Sequence, residues 1–173
     1  MFYFSVRELH DAYRAKQTTP LQYIEEILER AKALAPGIFT HIAEQRALSE
    51  AKASTERWQN DAALGLFDGV PMVWKDLYHM KGVVTTAASL AYIDAPLELK
   101  DSEAVRLFTE QGGINLGKVT LSELAYSGLG INPEFTTHPN WFSVKGRERI
   151  PGGSSSGPAL ATCEQMCRLR RGT

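Results

Sequence analysis

Three serines held among glycines and prolines, Pro151-Gly152-Gly153-Ser154-Ser155-Ser156-Gly157-Pro158, are the densest group of chemically useful residues in the chain. Glycine permits positive φ and close approach of backbone to a ligand, the serines supply hydroxyls, and Pro158 suits the first turn of a helix through Ala159-Leu160-Ala161-Thr162. A flexible Gly/Ser linker has the same composition, but linkers rarely run straight into a helix-start signal. The segment therefore reads as a loop at a helix N-terminus. A phosphate-cradling role fails, because Gly157 is followed by Pro158 and Ala159 where a Walker loop needs Lys and Ser/Thr. Gly128-Leu129-Gly130-Ile131-Asn132-Pro133 departs from a dinucleotide fingerprint in a similar way, with Pro133 at the third glycine position.

A serine hydroxyl attacks a carbonyl only when a base takes its proton. The four histidines, His10, His41, His79 and His138, lack a recognisable partner pattern and read as packing or surface residues. Lysine is the other candidate base. Lys75 ends the apolar run Val70-Pro71-Met72-Val73-Trp74, where burial would lower its pKa toward the neutral amine a base requires. Strand-end lysines more often extend into solvent, so position alone leaves both readings open.

The elements that must position these groups are legible from local signals. Ser5-Val6-Arg7-Glu8 and Thr19-Pro20-Leu21-Gln22 both carry the capping-box pattern and predict two helix starts. Leu21, Ile24, Leu28 and Ala31 form the apolar stripe of the second helix, which the sequence ends near Pro36-Gly37. A short strand is expected at 38–42, a helix at about 44–60, a strand ending at Lys75-Asp76 and an extended piece at 83–86. Ser102 is placed to cap a helix carrying Ala104, Val105, Leu107 and Phe108, which stops at Gly112-Gly113 before a strand over 114–117. Residues 128–151 contain three prolines and little periodicity, the pattern of a long functional loop. The fold class is α/β.

The chain has 173 residues, 43% of them hydrophobic, and a net charge of −1, which excludes disorder as its main state and any broad basic field for nucleic acid or acidic membranes. The apolar start Met1-Phe2-Tyr3-Phe4 is too short for a signal or spanning segment, and a cytoplasmic location is expected. Cys163 and Cys167 share one face of any helix there, a geometry that favours neither a disulfide nor a zinc site.

Taken together, Gly69-Val70-Pro71-Met72-Val73-Trp74-Lys75-Asp76 and Pro151-Gly152-Gly153-Ser154-Ser155-Ser156-Gly157 resemble the amidase signature family. Between them, Thr85-Thr86-Ala87-Ala88-Ser89, the stretch from Asp101 to Val105 and the run from Gly117 through Lys118 to Leu124 and on to Asn132-Pro133 are similar in order and character. The resemblance implies a mixed sheet flanked by helices, incomplete in this chain. It implies that residues 1–173 are the N-terminal part of a single domain, with a mainly helical lead-in at about 5–61 and a catalytic-core part at 68–173. It also implies a Ser–cis-Ser–Lys triad. Lys75 matches the general base, Ser154 the relaying serine preceded by a cis peptide bond, and Ser155 a supporting serine; Ala125 and Ser127 match the substrate-facing stretch. No metal or organic cofactor is implied.

The attacking serine of that family closes a Gly-Thr-Asp-x-Gly-Gly-Ser segment. If Gly172-Thr173 are its first two residues, the seventh falls five residues beyond Thr173, so amide turnover is not expected of the chain as written. The preceding Cys167-Arg168-Leu169-Arg170-Arg171 replaces an apolar stretch of the family, and Pro158 replaces a small residue. A shift of reading frame would account for the arginines. Three readings follow: hydrolysis of a small-molecule carboxylic amide by the parent enzyme, a noncatalytic fragment or pseudo-enzyme, and the A subunit of a glutamyl- or aspartyl-tRNA amidotransferase. The resemblance leaves room for a homodimer of the full-length form. An isolated chain is expected to expose strand edges and apolar faces and to aggregate.

Overall fold

A computed structural model of the chain describes residues 5–33 and 37–164. The expectations for Met1–Phe4, Pro36, Cys167, Arg168–Arg171 and Gly172-Thr173 lie outside the described residues.

Both predicted helix starts form. The Ser5 hydroxyl accepts from the Glu8 amide at 3.2 Å and starts α1, Val6–Arg14. Thr19 and Gln22 satisfy each other reciprocally: the Gln22 amide donates to the Thr19 hydroxyl at 3.2 Å and the Thr19 amide to the Gln22 side-chain oxygen at 3.1 Å, and α2 runs Pro20–Ala33. Ile24, Leu28 and Ala31 of the predicted stripe are buried, joined by Tyr23 and Ile27, while Leu21 is only partly covered. The strand β1, Phe39–Ile42, leads into α3, Glu44–Gln59.

β2, Pro71–Lys75, and β3, Ile114–Val119, complete a mixed sheet of order β1-β3-β2, with β1 antiparallel and β2 parallel to the central β3. Central placement makes every residue of β3 buried, the polar Asn115 and Lys118 included, while Ile114, Leu116 and Val119 join the apolar core. Gly117 within it has φ +149, and a Cβ there would strike the His41 carbonyl oxygen of β1. A bulge between Met72 and Val73 resets the β2–β3 register so that Lys75 faces Val119. α4, Glu103–Glu110, precedes β3, and α5, Ser156–Cys163, packs on β2 and β3.

The helical lead-in is bolted to the turn that feeds β2. The carboxylate of Asp68 is fully buried and accepts from Ser54 Oγ at 2.6 Å, Arg57 at 2.7 and 2.8 Å and the Leu64 amide at 2.8 Å. Its carbonyl receives Trp58 Nε1 at 3.3 Å and lies 3.1 Å from His10 Nε2, while the Tyr13 hydroxyl donates to the Gly69 carbonyl at 3.0 Å. Burial pushes the Asp68 carboxyl up, but the Arg57 guanidinium and the hydrogen bonds outweigh it and hold it below the usual carboxylate value. The same desolvation leaves His10 below its ordinary value.

Two local expectations are corrected. Residues 83–86 form no strand; the Val84 carbonyl and Thr85 hydroxyl are taken up instead by the Lys118 ammonium at 3.0 and 2.8 Å. Ser102 does sit at the N-cap of α4, yet its side chain makes no capping bond and its hydroxyl is buried without a partner. On α4, Val105 and Phe108 are buried whereas Leu107 is exposed, so the apolar face is narrower than its composition implies. The long segment 128–151 has neither helix nor strand, only a Val144–Arg147 bridge.

Candidate active site

β2 ends by carrying Lys75 to the rim of the sheet, and the turn before α5 brings the serine loop over it. Lys75 Nζ lies 2.7 Å from Ser154 Oγ, a contact across 79 positions of sequence. Burial lowers the Lys75 pKa, and neighbouring charge makes no resolved contribution. An amine lowered in this way is more often neutral near physiological pH and can take a proton from a hydroxyl within hydrogen-bond reach. The peptide bond Gly153–Ser154 is cis.

The three serines have different surroundings. Ser154 meets the lysine. Ser155 is the exposed N-cap of α5, and its hydroxyl makes no hydrogen bond to Lys75 or Ser154 among the described residues. Ser156 is turned inward, 1% exposed, with its hydroxyl unpartnered. Gly157 holds the helix start tight against β3: its amide donates to the Thr120 carbonyl at 3.0 Å, and an added Cβ would collide with the Thr120 backbone.

A second loop, 120–130, supports the first. The Ser122 amide donates to the Ser154 carbonyl at 3.1 Å, and the Gly153 and Gly152 amides donate to the carbonyls of Gly128 and Leu129 at 2.8 and 3.1 Å. Ser122 Oγ donates to the Ser127 carbonyl at 2.7 Å and accepts from the Gly130 amide at 3.1 Å. Gly130, at φ +76, packs against Gly152, which explains the second glycine of the false dinucleotide match. Ala125 lies on this loop at φ +59, after Leu124 at φ +51, and the Ser127 hydroxyl accepts from the Leu129 amide at 3.2 Å. Ala87 and Ala88, at φ +51 and +50, join the loop through a 3.0 Å bond from the Leu124 amide to the Ala87 carbonyl. Four non-glycine residues in the left-handed region, gathered beside one lysine–serine contact, are the kind of strain that concentrates at functional sites.

Sequence reasoning passed over Asp76, Lys118 and Ser122. Lys118 had a signal: a single cation inside an otherwise uncharged buried strand demands a buried partner. That partner is Asp76, 2.5 Å away, with Lys118 and Asp76 exposed by only 0% and 1%. Ser122 had none, since the groups it bridges, the Ser154 and Ser127 carbonyls and the Gly130 amide, come together only in the fold.

Two surface clefts, about 370 Å³ beside His41, Arg46 and Met80 and about 660 Å³ beside His10, Tyr13 and Trp58, contain neither Lys75 nor Ser154. Among the described residues no group of three or more His, Cys, Asp or Glu could hold a metal ion, and no helix is long and apolar enough to cross a membrane.

Comparison with known proteins places this geometry in context. A family model described as Amidase matches residues 22–173. The A subunit of the glutamyl-tRNA(Gln) amidotransferase of Nostoc punctiforme is 32% identical over 173 residues, which are 98% of this chain and 34% of that protein. Its counterpart from Methylobacillus flagellatus is 31% identical over 177 aligned residues, covering 100% of this chain and 35% of the relative. Among solved structures, an amidase matches with TM-score 0.81 and 32% identity over 94% of this chain and 36% of its own. A chain from a vestigial protein complex bearing on the origins of an s-triazine catabolic enzyme matches with TM-score 0.87 and 27% identity, over 94% of this chain and 35% of its own. The chain thus spans about a third of the length of the curated relatives it matches.

Proposed function

The chain belongs to the amidase family, and from that premise we propose that it carries the Lys–Ser half of an active site that cleaves carboxylic amide C–N bonds. The observation that carries this reading is the 2.7 Å contact between Lys75 Nζ and Ser154 Oγ, with the amine lowered by burial.

In this reading neutral Lys75 accepts the Ser154 proton, and Ser154 in turn takes the proton of an attacking serine as that oxygen adds to the amide carbonyl. The proton then returns through Ser154 to the leaving nitrogen, ammonia or an amine departs, and water releases the acyl group by the same relay. No Gly-Thr-Asp-x-Gly-Gly-Ser segment occurs within the 173 residues, so the attacking serine and its oxyanion-stabilising amides are assigned to the remainder of a longer enzyme. The loop carrying Ala125 and Ser127 is the proposed substrate-facing wall, supported by its bonds to the serine loop. Ser155 is assigned a supporting role on its place beside Ser154.

A second, narrower reading is favoured by the sequence relatives: the A subunit of a tRNA-dependent amidotransferase, which would release ammonia from an amide donor for transfer. The test for both is the full-length protein. It is expected to hydrolyse simple carboxylic amides or glutamine, and Lys75→Ala and Ser154→Ala are each expected to lower kcat by about 10²–10⁴-fold. Hydrolysis that persists unchanged in either variant would refute the assignment; activity only in the presence of a partner protein would select the amidotransferase reading.

A further inference from the structure

Ser122 stands where the serine loop and the proposed substrate-facing wall meet. The residue is 1% exposed, and its hydroxyl both donates to the Ser127 carbonyl at 2.7 Å and accepts from the Gly130 amide at 3.1 Å. Neither of those backbone groups has another hydrogen-bond partner among the described residues. The Ser122 amide points the other way and donates to the Ser154 carbonyl at 3.1 Å. Between these two ends, the carbonyls of Gly128 and Leu129 accept from the Gly153 and Gly152 amides at 2.8 and 3.1 Å. Segments 127–130 and 152–154 therefore lie side by side like a short ladder, closed by one serine.

The two segments touch without room for a side chain. A Cβ on Gly153 would stand 2.6 Å from the Gly130 nitrogen and 2.7 Å from Ser122 Oγ, and one on Gly130 would strike the Gly152 carbonyl oxygen. The turn that follows Ser122 also costs conformational energy, since Leu124 and Ala125 sit at φ +51 and +59. Bonds on either side must hold it in that form.

We propose that Ser122 is a positioning residue for the reaction: its hydroxyl fixes segment 127–130, which in turn holds Ser154 on Lys75 and sets the Ser127 wall at a constant distance from that pair. The inference deepens the amide-cleavage reading and rests on it. An alanine at 122 would strand the Ser127 carbonyl and the buried Gly130 amide. The segment would relieve that cost by moving toward water, carrying with it the carbonyls that anchor Gly152 and Gly153. Small displacements of a proton relay are costly, because transfer needs the donor and acceptor oxygens within hydrogen-bond reach.

Lys75 reports such a displacement. Burial is the cause of its lowered value, so water admitted by a loosened serine loop would raise it again. No new charge would reach it from the moving parts. The serine loop and α5 carry no charged residue from 151 to 163, and the Glu123 carboxylate is engaged by Ser89 Oγ at 2.7 Å.

The experiment compares the full-length protein with its Ser122→Ala variant by steady-state kinetics, thermal melting and an NMR titration of the Lys75 side chain. The variant is expected to lose about 10–10²-fold in kcat and to show a Lys75 midpoint displaced upward toward 10.5. A merely structural hydroxyl would lower Tm and leave kcat and the midpoint at their parent values, which overturns the proposal. A raised KM with an unmoved midpoint overturns it too, by confining Ser122 to the wall. If the variant does not fold, hydrogen exchange of the unsubstituted protein decides. The Gly130, Gly152 and Gly153 amides are expected to open together, and a Gly130 amide that exchanges apart from the other two refutes the closed ladder. A displaced midpoint in a protein that hydrolyses no amide would retain the positioning role of Ser122 and discard the amidase reading. Hydrolysis that requires Lys75 and Ser154 but is unchanged in Ser122→Ala would do the reverse.

Discussion

At the residue scale the proposed chemistry turns on one amine. Lys75 is held below its ordinary value of 10.5 by burial, and the sign of the consequence can be worked out. In the proposed mechanism the active form is the neutral amine, so the acid limb of kcat/KM in the full-length protein is expected to rise as pH climbs through the lowered Lys75 value and to level off before 10.5. A limb that still rises beyond the ordinary lysine value would show that Lys75 is not the titrating base. The lysine itself was legible in the sequence as the end of an apolar run, and the serine as part of a glycine-rich loop. Their partnership was legible only through the family resemblance, because no local rule links positions 79 residues apart. Of the three serines, composition could not separate the one that meets the lysine from the exposed Ser155 and the buried Ser156; the fold separates them by where the turn before α5 points each hydroxyl.

At the element scale, local signals were strongest where backbone donors need a cap. Both predicted helix starts formed because their capping bonds are made within four residues. The Ser102 cap failed at the side chain, since the same residue type is equally able to turn its hydroxyl inward. The extended piece at 83–86 failed because β-like composition cannot supply a neighbouring strand, and here a lysine took the carbonyl that a ladder would have used. The junction of α5 with β3 is the element-level feature most exposed to test. Gly157→Ala would press a Cβ onto both the amide and the carbonyl of Thr120, backbone that cannot swing aside. The expected loss is about 1–3 kcal/mol of stability, measured by denaturant unfolding, with the Lys75–Ser154 contact displaced. A variant as stable and as active as the parent would show that the serine loop tolerates a wider approach to the sheet.

At the scale of the whole molecule, two predictions follow from buried polar nodes and uncovered apolar surface. Asp68 and Asp101 both titrate below 3.8 in the folded chain; in each, burial acts upward and is outweighed by Arg57 or Arg46 and by hydrogen bonds. Their stabilisation is therefore present above the unfolded value near 3.8 and lost as pH falls through the folded values. His10, lowered by burial from 6.5, adds the same sign in a higher window, because the unfolded chain takes up its proton first. Chemical denaturation is expected to show stability falling as pH drops below about 6.5 and again below about 4; a flat profile across both windows would contradict these assignments. Surface apolar residues cluster on the loops near the site, with Tyr126 95% exposed and Leu129, Trp141, Phe142 and Ile150 about half exposed. A polypeptide of only these 173 residues is expected to self-associate in sedimentation and to show no amide turnover. A monomeric, cooperatively melting preparation would overturn the first expectation, and measurable turnover lost in Lys75→Ala the second.

The sequence by itself determined the helix starts, the apolar stripe of α2, the α/β class, the family resemblance and the identity of the lysine and the serine loop. All of these are set by neighbours within a few positions or by the order of short motifs. The tertiary structure alone decided that Lys75 reaches Ser154, that Lys118 is matched by Asp76 inside the sheet, and that the 120–130 loop braces the serine loop through backbone bonds. Those outcomes depend on strand order, register and burial, quantities that arise only when distant segments share one desolvated space.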